Sequence, residues 1–308
     1  MAEFDLIERI KRETAAARDD VRVGIGDDAA VLAPRAGQEL VVATDTLVEG
    51  VHFPAATAAY DVGWKSLAVN LSDLAAMGAE PAWATLALTL PHPDEAWVTQ
   101  FARGFAAIAR THEVALVGGD TTRGPLTLSV TVHGFVPRGD ALLRSGARAG
   151  DAVFVTGTLG DAAGGLARPD VAALRERLDR PTPRVAAGRL LRGVATAAID
   201  VSDGLLIDLG RLCDASAVGA ELDAPPPLSA ALRETFGEPE ARAHAWAGGD
   251  DYELCFTASP AQETVLRAAF GRLALTRIGR IVSSPGVRVV DAEGRDVTPP
   301  RRGYEHFR

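Results

Sequence analysis

Lysine is nearly absent from this sequence, and the usual lysine-based phosphate motifs are missing with it. Lys11 and Lys65 are the two lysines among 308 residues, so arginine carries almost all of the positive charge. Neither lies in a glycine-rich turn, and no Gly-x-x-x-x-Gly-Lys-Ser/Thr segment occurs, which excludes a P-loop. The glycine-rich loop and His-Arg-Asp motif of protein kinases are also absent. Any phosphate that binds must be neutralised in another way.

Cysteine and long apolar segments are scarce as well. Cys213 and Cys255 stand alone, without the paired spacing of a zinc site and too few for a disulfide scaffold, so we predict buried thiols. No apolar run reaches the roughly 20 residues of a membrane span. Residues 1–5 lack the basic and apolar regions of a signal peptide. These features predict a cytoplasmic protein without membrane segments.

The size and charge of the chain set its general class. A length of 308 residues suits two domains of roughly 150 residues each. The 47% hydrophobic and 24% charged residues are typical of a globular protein. The net charge of -9 disfavours nucleic acid or an anionic membrane as a partner. ATP is compatible with this charge if metal ions intervene.

Small residues next to acids recur along the chain. The apolar run Leu40–Ala43 ends at Thr44 and Asp45, which predicts a buried interior strand with a polar site at its end. Four further segments pair glycine with aspartate, namely Gly24–Asp28, Gly118–Asp120, Asp200–Gly204 and Gly248–Asp251. Mg2+ prefers a few carboxylates supplemented by water and phosphate oxygens. The repetition therefore predicts hard-cation chemistry.

Residues 61–78 predict a helix that carries one unusual acid. Apolar residues recur there at helical spacing, Gly78 is a natural C-terminal stop, and Pro81 prevents continuation. Asp73 lies among apolar or small residues, whereas a solvated face would carry several charges. It is either a site residue or a carboxylate that hydrogen-bonds a cap or a neighbouring loop.

Both halves of the chain mix strands with helices, which predicts an α/β (α+β) protein. The predicted strands are 83–90, 114–117, 126–132, 152–155, 197–200, 252–256, 275–281 and 287–290. The other predicted helices are 4–14, one opening at 93–95, one following the turn at 157–161, 184–196, 205–215 and 261–270. The threonine face of 126–132 is either solvated or closes a subunit interface. A linker at 137–150 predicts domains over residues 1–140 and 141–308.

Six motifs in order resemble those of the thiamine-monophosphate kinase family. They lie at 24–29, 44–53, 70–78, 118–124, 200–204 and 249–254, and the resemblance ends at 303–307. It implies a two-domain aminoimidazole ribonucleotide synthetase-like fold, with an N-terminal mixed sheet with helices and a C-terminal α/β sandwich. It further implies that the first domain binds ATP and Mg2+ and forms a homodimer through its sheet, and that the second completes the active site.

The resemblance implies transfer of the ATP γ-phosphate to thiamine monophosphate, giving thiamine diphosphate and ADP with the help of several Mg2+ ions. Carried over by position, the implied Mg2+ ligands are Asp28, Thr44, Asp45, Asp73, Asp120, Asp200 and Asp203. Asp27 is a weaker candidate, and Ala43 offers only its backbone oxygen where the family often has a hydroxyl. Since the acceptor is already a phosphate, no general base is implied.

Further positions match substrate contacts of the family. Those that match ATP contacts are Gly119, Asp120, Arg144 and Ser202, and those that match contacts with the thiamine substrate are His52, Asp250 and Tyr304.

Each assignment has a simpler structural alternative. The aspartates could hydrogen-bond turn amides, as aspartate commonly does next to glycine, and Asp203 could be the N-cap of the following helix. Arg144 could be a solvated linker residue. His52 could be a strand-edge residue, and Tyr304 could anchor the C-terminal tail.

Two other functions stay open on the sequence alone. A sister ATP-dependent synthetase would use ATP and Mg2+ with another acceptor, but such proteins usually carry a reactive cysteine near a terminus that is absent here. A dimeric nucleotide-binding protein without turnover would keep the same fold, although the intact set of acids argues against it.

Overall fold

The computed structural model describes residues 3–307, and so excludes residues 1, 2 and 308 of the predicted domains. Its contacts divide the chain into two compact units. One runs up to Leu74 and resumes over Ala79–Gly139, and the other contains Ala75–Gly78 and the chain from Asp140 onward. The division at 139/140 falls within the linker expected at 137–150. Within residues 3–307, every helix is too short or too polar to cross a bilayer.

The first unit is built on a mixed sheet. The elements of this unit are α1 (Glu3–Glu13), β1 (Val21–Val23), β2 (Val31–Leu32), β3 (Gln38–Val48), α2 (Ala59–Ala76), β4 (Glu80–Leu90), α3 (Glu95–Thr111), β5 (Ala115–Arg123) and β6 (Thr127–Pro137). The sheet order is β3-β6-β4-β5. Strand β6 is antiparallel to both of its neighbours, and β5 is parallel to β4. The predicted N-terminal mixed sheet with helices is therefore confirmed.

Strand β3 lies at the edge of this sheet and is not the buried interior strand that was predicted. Its side chains alternate between two environments, because successive residues of a strand point to opposite faces. Leu40 and Val42 are 48% and 52% exposed on one face, whereas Leu47 is buried on the other. A run of apolar residues gave no sign of this difference, since both faces carry them.

Strand β5 continues through the segment that was predicted to turn. The prediction ended the strand at Val117, but Gly118–Arg123 remain paired with β4, after a register shift next to Ala84. Gly119 has a φ of +150°, and a Cβ on it would lie 1.8 Å from the Leu86 carbonyl oxygen. Pairing with β4 thus overrides the turn tendency of the two glycines, and this close approach requires glycine.

Helices α2 and α3 pack at very short range through glycine. A Cβ on Gly63 would lie 2.0 Å from the Phe101 carbonyl oxygen, and one on Gly104 would lie 1.8 Å from the Tyr60 carbonyl oxygen. Side chains are therefore excluded at both crossing points. Helix α2 is buried along most of its length, which agrees with its apolar composition and leaves Asp73 half-buried.

The second unit contains a larger mixed sheet. The elements are β7 (Ala152–Thr156), α4 (Asp161–Ala167), α5 (Ala172–Asp179), α6 (Val185–Leu191), β8 (Ala197–Val201), α7 (Leu205–Ala215), β9 (Gly219–Leu222), α8 (Ala230–Ala247), β10 (Glu253–Ala258), α9 (Glu263–Phe270), β11 (Leu275–Val282) and β12 (Gly286–Val289). The sheet order is β12-β9-β11-β7-β10-β8. Every residue of β7, β8 and β10 is buried, as expected for strands covered on both faces.

Three elements of this unit were not predicted. Strand β9 has four residues, too few for a periodic signal. Helix α8 is interrupted at Gly237, whose φ is +73°, and contains Pro239, so its apolar spacing is irregular. Helix α5 is short and rich in charged residues. Helix α6 also ends earlier than predicted, at Leu191, because Arg192 leaves helical geometry.

We expect Gly104→Ala to lower the free energy of unfolding by about 3 kcal/mol, because the added methyl group must push apart two packed helix backbones. Gly210→Ala is the matched control, since Gly210 lies inside α7 with nothing within 4 Å of its Cβ position. That control should gain about 0.5–1 kcal/mol of stability. Urea denaturation measures both, and equal effects would contradict the close-packing interpretation.

Candidate active site

A turn in the second unit carries several of the predicted site residues. Asp200 lies near the end of β8, and Ser202 and Asp203 lead directly into α7. Gly204 occupies the N-cap of α7 with a φ of +127°, where a side chain would be strained. The alternative that Asp203 is the cap is therefore wrong. The carboxylate of Asp203 does not cap the helix.

Asp208 lies one helical turn into α7 and fixes the preceding turn through hydrogen bonds. Its Oδ2 accepts hydrogen bonds from the backbone N–H groups of Ser202, Asp203 and Gly204 at 3.1, 2.9 and 3.0 Å. The residue is 1% exposed. Sequence reasoning missed it, although an acid four residues after a helix N-cap is well placed to accept from amides at the helix start.

Three carboxylates interact electrostatically at this turn. Burial, followed by the negative charge of Asp200, raises the pKa of Asp208 to about 7, and the charge of Asp203 adds to this. The Arg211 guanidinium opposes the effect, because its Nη1 contacts Asp203 Oδ2 at 2.6 Å and Asp208 Oδ1 at 2.7 Å. A cation beside Asp200 and Asp203 would reduce the same repulsion.

The segment before β10 is fixed against this turn. The Asp250 N–H donates to the Ser202 carbonyl at 2.8 Å, and the Tyr252 N–H donates to the Val201 carbonyl at 2.8 Å. Gly249 is required there, since a Cβ would lie 2.6 Å from the Ser202 carbonyl oxygen. The structure thus places the backbone of Asp250 next to Ser202.

The C-terminal segment reaches the same turn. The Tyr304 N–H donates to the Asp203 carbonyl oxygen at 3.0 Å. The ring of Tyr304 is 42% exposed and makes an edge contact with His306 at 4.9 Å between ring centroids. A Cβ on Gly303 would lie 2.8 Å from the Asp203 carbonyl oxygen. The second unit therefore brings Asp200, Ser202, Asp203, Asp250 and Tyr304 together.

Arg144 is not part of this cluster. Its carbonyl accepts from the Ser216 hydroxyl at 2.9 Å, and Ser216 is the C-cap of α7. This anchor lies at the opposite end of α7 from Asp203, about 16 Å away at 1.5 Å per residue. The side chain of Arg144 is exposed. A role in ATP binding thus stays a prediction without support from these contacts.

In the first unit, α2 and β3 bring predicted residues close together. The Asn70 side-chain oxygen accepts from the Asp45 N–H at 2.9 Å, and its Nδ2 donates to the Ser66 carbonyl at 2.9 Å. Asp73 follows Asn70 by three residues, which is one helical turn. Asn70 was not predicted as a site residue, although it lies in one of the recognised motifs. It connects the Asp45 backbone to the helix that carries Asp73.

The structure separates the side chains of Thr44 and Asp45. The Thr44 hydroxyl hydrogen-bonds the Thr131 hydroxyl at 2.9 Å across the exposed face of the sheet. Asp45 points to the opposite face, because neighbouring strand residues alternate. The structure therefore does not support the Thr44 hydroxyl as a Mg2+ ligand beside the Asp45 carboxylate. The backbone carbonyl oxygen of Thr44 is the remaining candidate ligand at this residue.

Gly119 and Asp120 border a cleft in the first unit. The lining also includes Ile7, Ile10, Ile25, Leu86, Leu116, Gly118 and Thr121, around roughly 460 Å³ of empty space that is partly open to solvent. Asp120 Oδ1 accepts from the Thr121 N–H at 2.9 Å, so one of its oxygens hydrogen-bonds a neighbouring backbone amide, although this amide lies in strand β5 and not in a turn. The cleft combines an apolar wall with a backbone edge and a carboxylate.

Asp27, Asp28 and His52 lie on turns of the first unit. Asp27 Oδ1 accepts from the Asp28 N–H at 2.9 Å, which also matches the simpler alternative for Asp27. Both aspartates are exposed. His52 Nδ1 accepts from the Val48 N–H at 3.0 Å and so closes the turn after β3. These contacts fix the conformation of the turns.

Within residues 3–307, no group of three or more His, Cys, Asp or Glu side chains is arranged to hold a metal ion. Mg2+ is commonly bound by one or two carboxylates together with water and substrate phosphates. The carboxylate oxygens of Asp200 and Asp203, and the repulsion that both exert on Asp208, fit such an ion.

The comparisons with known proteins cover nearly the whole chain. Residues 26–136 match the N-terminal domain of AIR synthase related proteins, and residues 148–292 match the C-terminal domain. The chain is 46% identical to the thiamine-monophosphate kinase of Salmonella typhimurium (strain LT2), covering 99% of this chain and 98% of that protein. This chain belongs to the thiamine-monophosphate kinase family. The resemblance in the motifs is thereby confirmed.

Solved structures of thiamine-monophosphate kinases share the fold. The crystal structure of the enzyme from Stenotrophomonas maltophilia K279a is 54% identical with a TM-score of 0.88, covering 96% of this chain and 98% of that chain. The complex of AaThiL with AMPPCP and TMP is 34% identical with a TM-score of 0.79, covering 99% and 97%. These matches confirm the predicted two-domain fold class.

We expect Asp208→Ala to lower the free energy of unfolding by about 2 kcal/mol, because three turn amides lose a buried acceptor while some carboxylate repulsion is relieved. Asp214→Ala removes an exposed acid from the end of the same helix and should change stability by less than about 0.5 kcal/mol. Chemical denaturation compares them. If the two variants unfold alike, Asp208 does not hold the turn.

Proposed function

We propose that this protein transfers the γ-phosphate of ATP to thiamine monophosphate, giving thiamine diphosphate and ADP. The observation that carries the proposal is the 46% identity to a curated thiamine-monophosphate kinase over essentially the full length of both chains. The solved complex of a relative with AMPPCP and TMP supports the same pair of substrates. The clustering of Asp200, Ser202, Asp203 and Asp250 in the second unit is consistent with it.

The reaction needs positioning and charge neutralisation. An anionic phosphate oxygen of thiamine monophosphate forms a bond to the γ-phosphorus, and the bond from that phosphorus to the β,γ-bridging oxygen breaks, so its electron pair leaves with ADP. The attacking oxygen carries no proton at neutral pH that must be removed. We therefore assign no general base.

We propose that carboxylates of both units act as Mg2+ ligands. In the first unit these are Asp28, Asp45, Asp73 and Asp120 with the Thr44 backbone, and in the second they are Asp200 and Asp203. When bound, Mg2+ neutralises phosphate charge that lysine neutralises in P-loop proteins. Arg211 limits repulsion between the Asp203 and Asp208 side chains, with contacts of 2.6 and 2.7 Å. Asp208 keeps the backbone of the turn in place.

We propose that ATP contacts the cleft beside Gly119 and Asp120, with Ser202 and Arg144 as further contacts. The apolar wall of that cleft suits a flat purine base. The thiamine portion of the acceptor would contact His52, Asp250 and Tyr304. Asp250 is suited to a cationic heterocycle, and the exposed Tyr304 ring is suited to stacking.

The rival functions are less well supported. Hydrogenase maturation proteins named HypE share the fold at TM-scores of 0.75 and 0.76 but are 18% and 21% identical, so they speak for the fold alone. A non-catalytic nucleotide-binding protein has no reason to keep acids at every motif. The proposed substrates are cytoplasmic metabolites, which fits a cytoplasmic location.

We also propose a homodimer that forms through the exposed face of the first unit's sheet. On this face, Thr44 pairs with Thr131 at 2.9 Å and Thr46 with Ser129 at 2.7 Å, so hydroxyls are satisfied within the sheet. Val42 is 52% exposed beside them. Along β3 and β6, this face of satisfied hydroxyls and apolar side chains suits self-association through a second copy.

We expect thiamine monophosphate to stimulate ADP release in a coupled assay, whereas thiamine, which lacks the acceptor phosphate, should give background. Removing Mg2+ with a chelator should abolish turnover, and adding it back should restore activity. No Mg2+-dependent ADP above background with thiamine monophosphate would overturn the kinase assignment.

We expect Asp73→Asn to lower kcat at least about 100-fold with an unchanged melting temperature, because a neutral amide binds Mg2+ far more weakly. Asp19→Asn is the control, since Asp19 is exposed and outside every motif. Near-normal turnover of the Asp73 variant would remove this residue from the site.

We expect Val42→Lys to shift the protein from dimer to monomer, because a charge cannot be buried unpaired at the interface. Val31→Lys is matched, since Val31 is also 52% exposed but lies on β2. Light scattering after size exclusion measures both. A wild-type monomer, or a Val42 variant that stays dimeric, would contradict the proposed interface.

A further inference from the structure

The segment that carries Asp250 is conformationally strained. Asp250 and Tyr252 have φ values of +68° and +50°, a region that L residues rarely adopt. Aspartate tolerates this region better than most residues, but an aromatic residue there is a genuine outlier. Such strain persists only where the surroundings hold it, and it is concentrated at functional positions. The contacts around the segment therefore need an explanation.

Buried polar contacts hold the segment on the side facing the interior. Asp251 is 2% exposed, and its Oδ2 accepts from the Gly160 N–H at 2.7 Å. Burial raises the pKa of Asp251 well above its ordinary value, and the positive charge of Arg177 opposes this rise. Its hydrogen bond to Gly160 anchors Asp251, the residue between Asp250 and Tyr252.

Glu253, the residue after Tyr252, is also held by buried contacts. It is fully buried, and its carboxylate accepts hydrogen bonds from the Thr156 hydroxyl at 2.7 Å, from Arg177 Nη2 at 3.0 Å and from Arg184 Nε at 2.6 Å. A second contact from Arg184 makes that interaction bidentate. Two arginines thus neutralise one buried acid and leave little freedom at the start of β10.

The side chains of Tyr252 and Asp250 hydrogen-bond each other in this strained segment. The Tyr252 hydroxyl donates to Asp250 Oδ1 at 2.9 Å. Tyr252 is 7% exposed, so its ring cannot reorient freely, whereas Asp250 is only half-buried. The rigid buried phenol therefore restrains the carboxylate on the more open residue.

We infer that Tyr252 is a positioning residue for the acceptor, because its hydroxyl orients the Asp250 carboxylate toward the cationic heterocycle of thiamine monophosphate. The inference rests on the proposed function, in which Asp250 contacts that substrate. A carboxylate that is oriented before binding loses less rotational freedom when the ligand arrives. Tyr252 acts through Asp250 and does not need to touch the substrate.

The first test is the kinetic effect of Tyr252→Phe in the full-length protein. We expect the KM for thiamine monophosphate to rise about tenfold, the size of effect expected when one charge-assisted hydrogen bond is lost. The KM for ATP should change less than twofold, and so should kcat. Tyr60→Phe removes a phenol from the start of α2 and should alter none of these values. An unchanged KM for thiamine monophosphate, or an equal rise for both substrates, would overturn the inference.

A double-mutant cycle with Asp250→Gly tests the route of the effect. Glycine adopts a φ of +68° without steric cost, so this variant removes the carboxylate without adding backbone strain. We expect Tyr252→Phe to change the KM for thiamine monophosphate less than twofold in the Asp250→Gly background. If the two effects multiply, Tyr252 acts independently of Asp250 and the inference is wrong.

A crystal structure of the Tyr252→Phe variant separates this inference from the proposed function. We expect the Asp250 carboxylate to rotate or to occupy more than one orientation, while the backbone of residues 249–253 stays in place. A carboxylate that keeps its single orientation would overturn the inference whatever the substrate is. Absence of wild-type activity with thiamine monophosphate would instead overturn the proposed function.

Discussion

Repulsion between carboxylates is the constraint on which the turn after β8 depends. Asp200, Asp203 and Asp208 lie close enough for the first two to raise the pKa of the third. Three backbone amides and Arg211 stabilise the arrangement. A site with this electrostatic character suits a cation and its phosphate ligands, and it disfavours a bare anion.

Arginine serves a supporting role in the second unit. Arg177 and Arg184 bind the buried Glu253, and Arg211 binds Asp203 and Asp208. The guanidinium fork suits such paired contacts with carboxylates. These fixed positive charges hold acids in place. Under the proposed function, the charge of the phosphates would then be met by metal ions.

Two glycines of the motifs are required for structural reasons, in addition to any functional role. Gly119 lies against the Leu86 carbonyl, and Gly249 lies against the Ser202 carbonyl, so neither position can hold a side chain. Close backbone approach makes these segments rigid. The neighbouring residues, Asp120 and Asp250, are therefore presented from fixed backbones, which is what a reaction governed by positioning requires.

The sequence by itself determined the family, the α/β class and most long elements, because ordered motifs and helical spacing are local properties of the chain. It did not reveal the edge position of β3, the continuation of β5 through two glycines, the opposite directions of Thr44 and Asp45, or the roles of Asn70 and Asp208. Each of these depends on which strand or helix is the neighbour in space. Pairing and packing between distant segments decide that, and no local pattern records it.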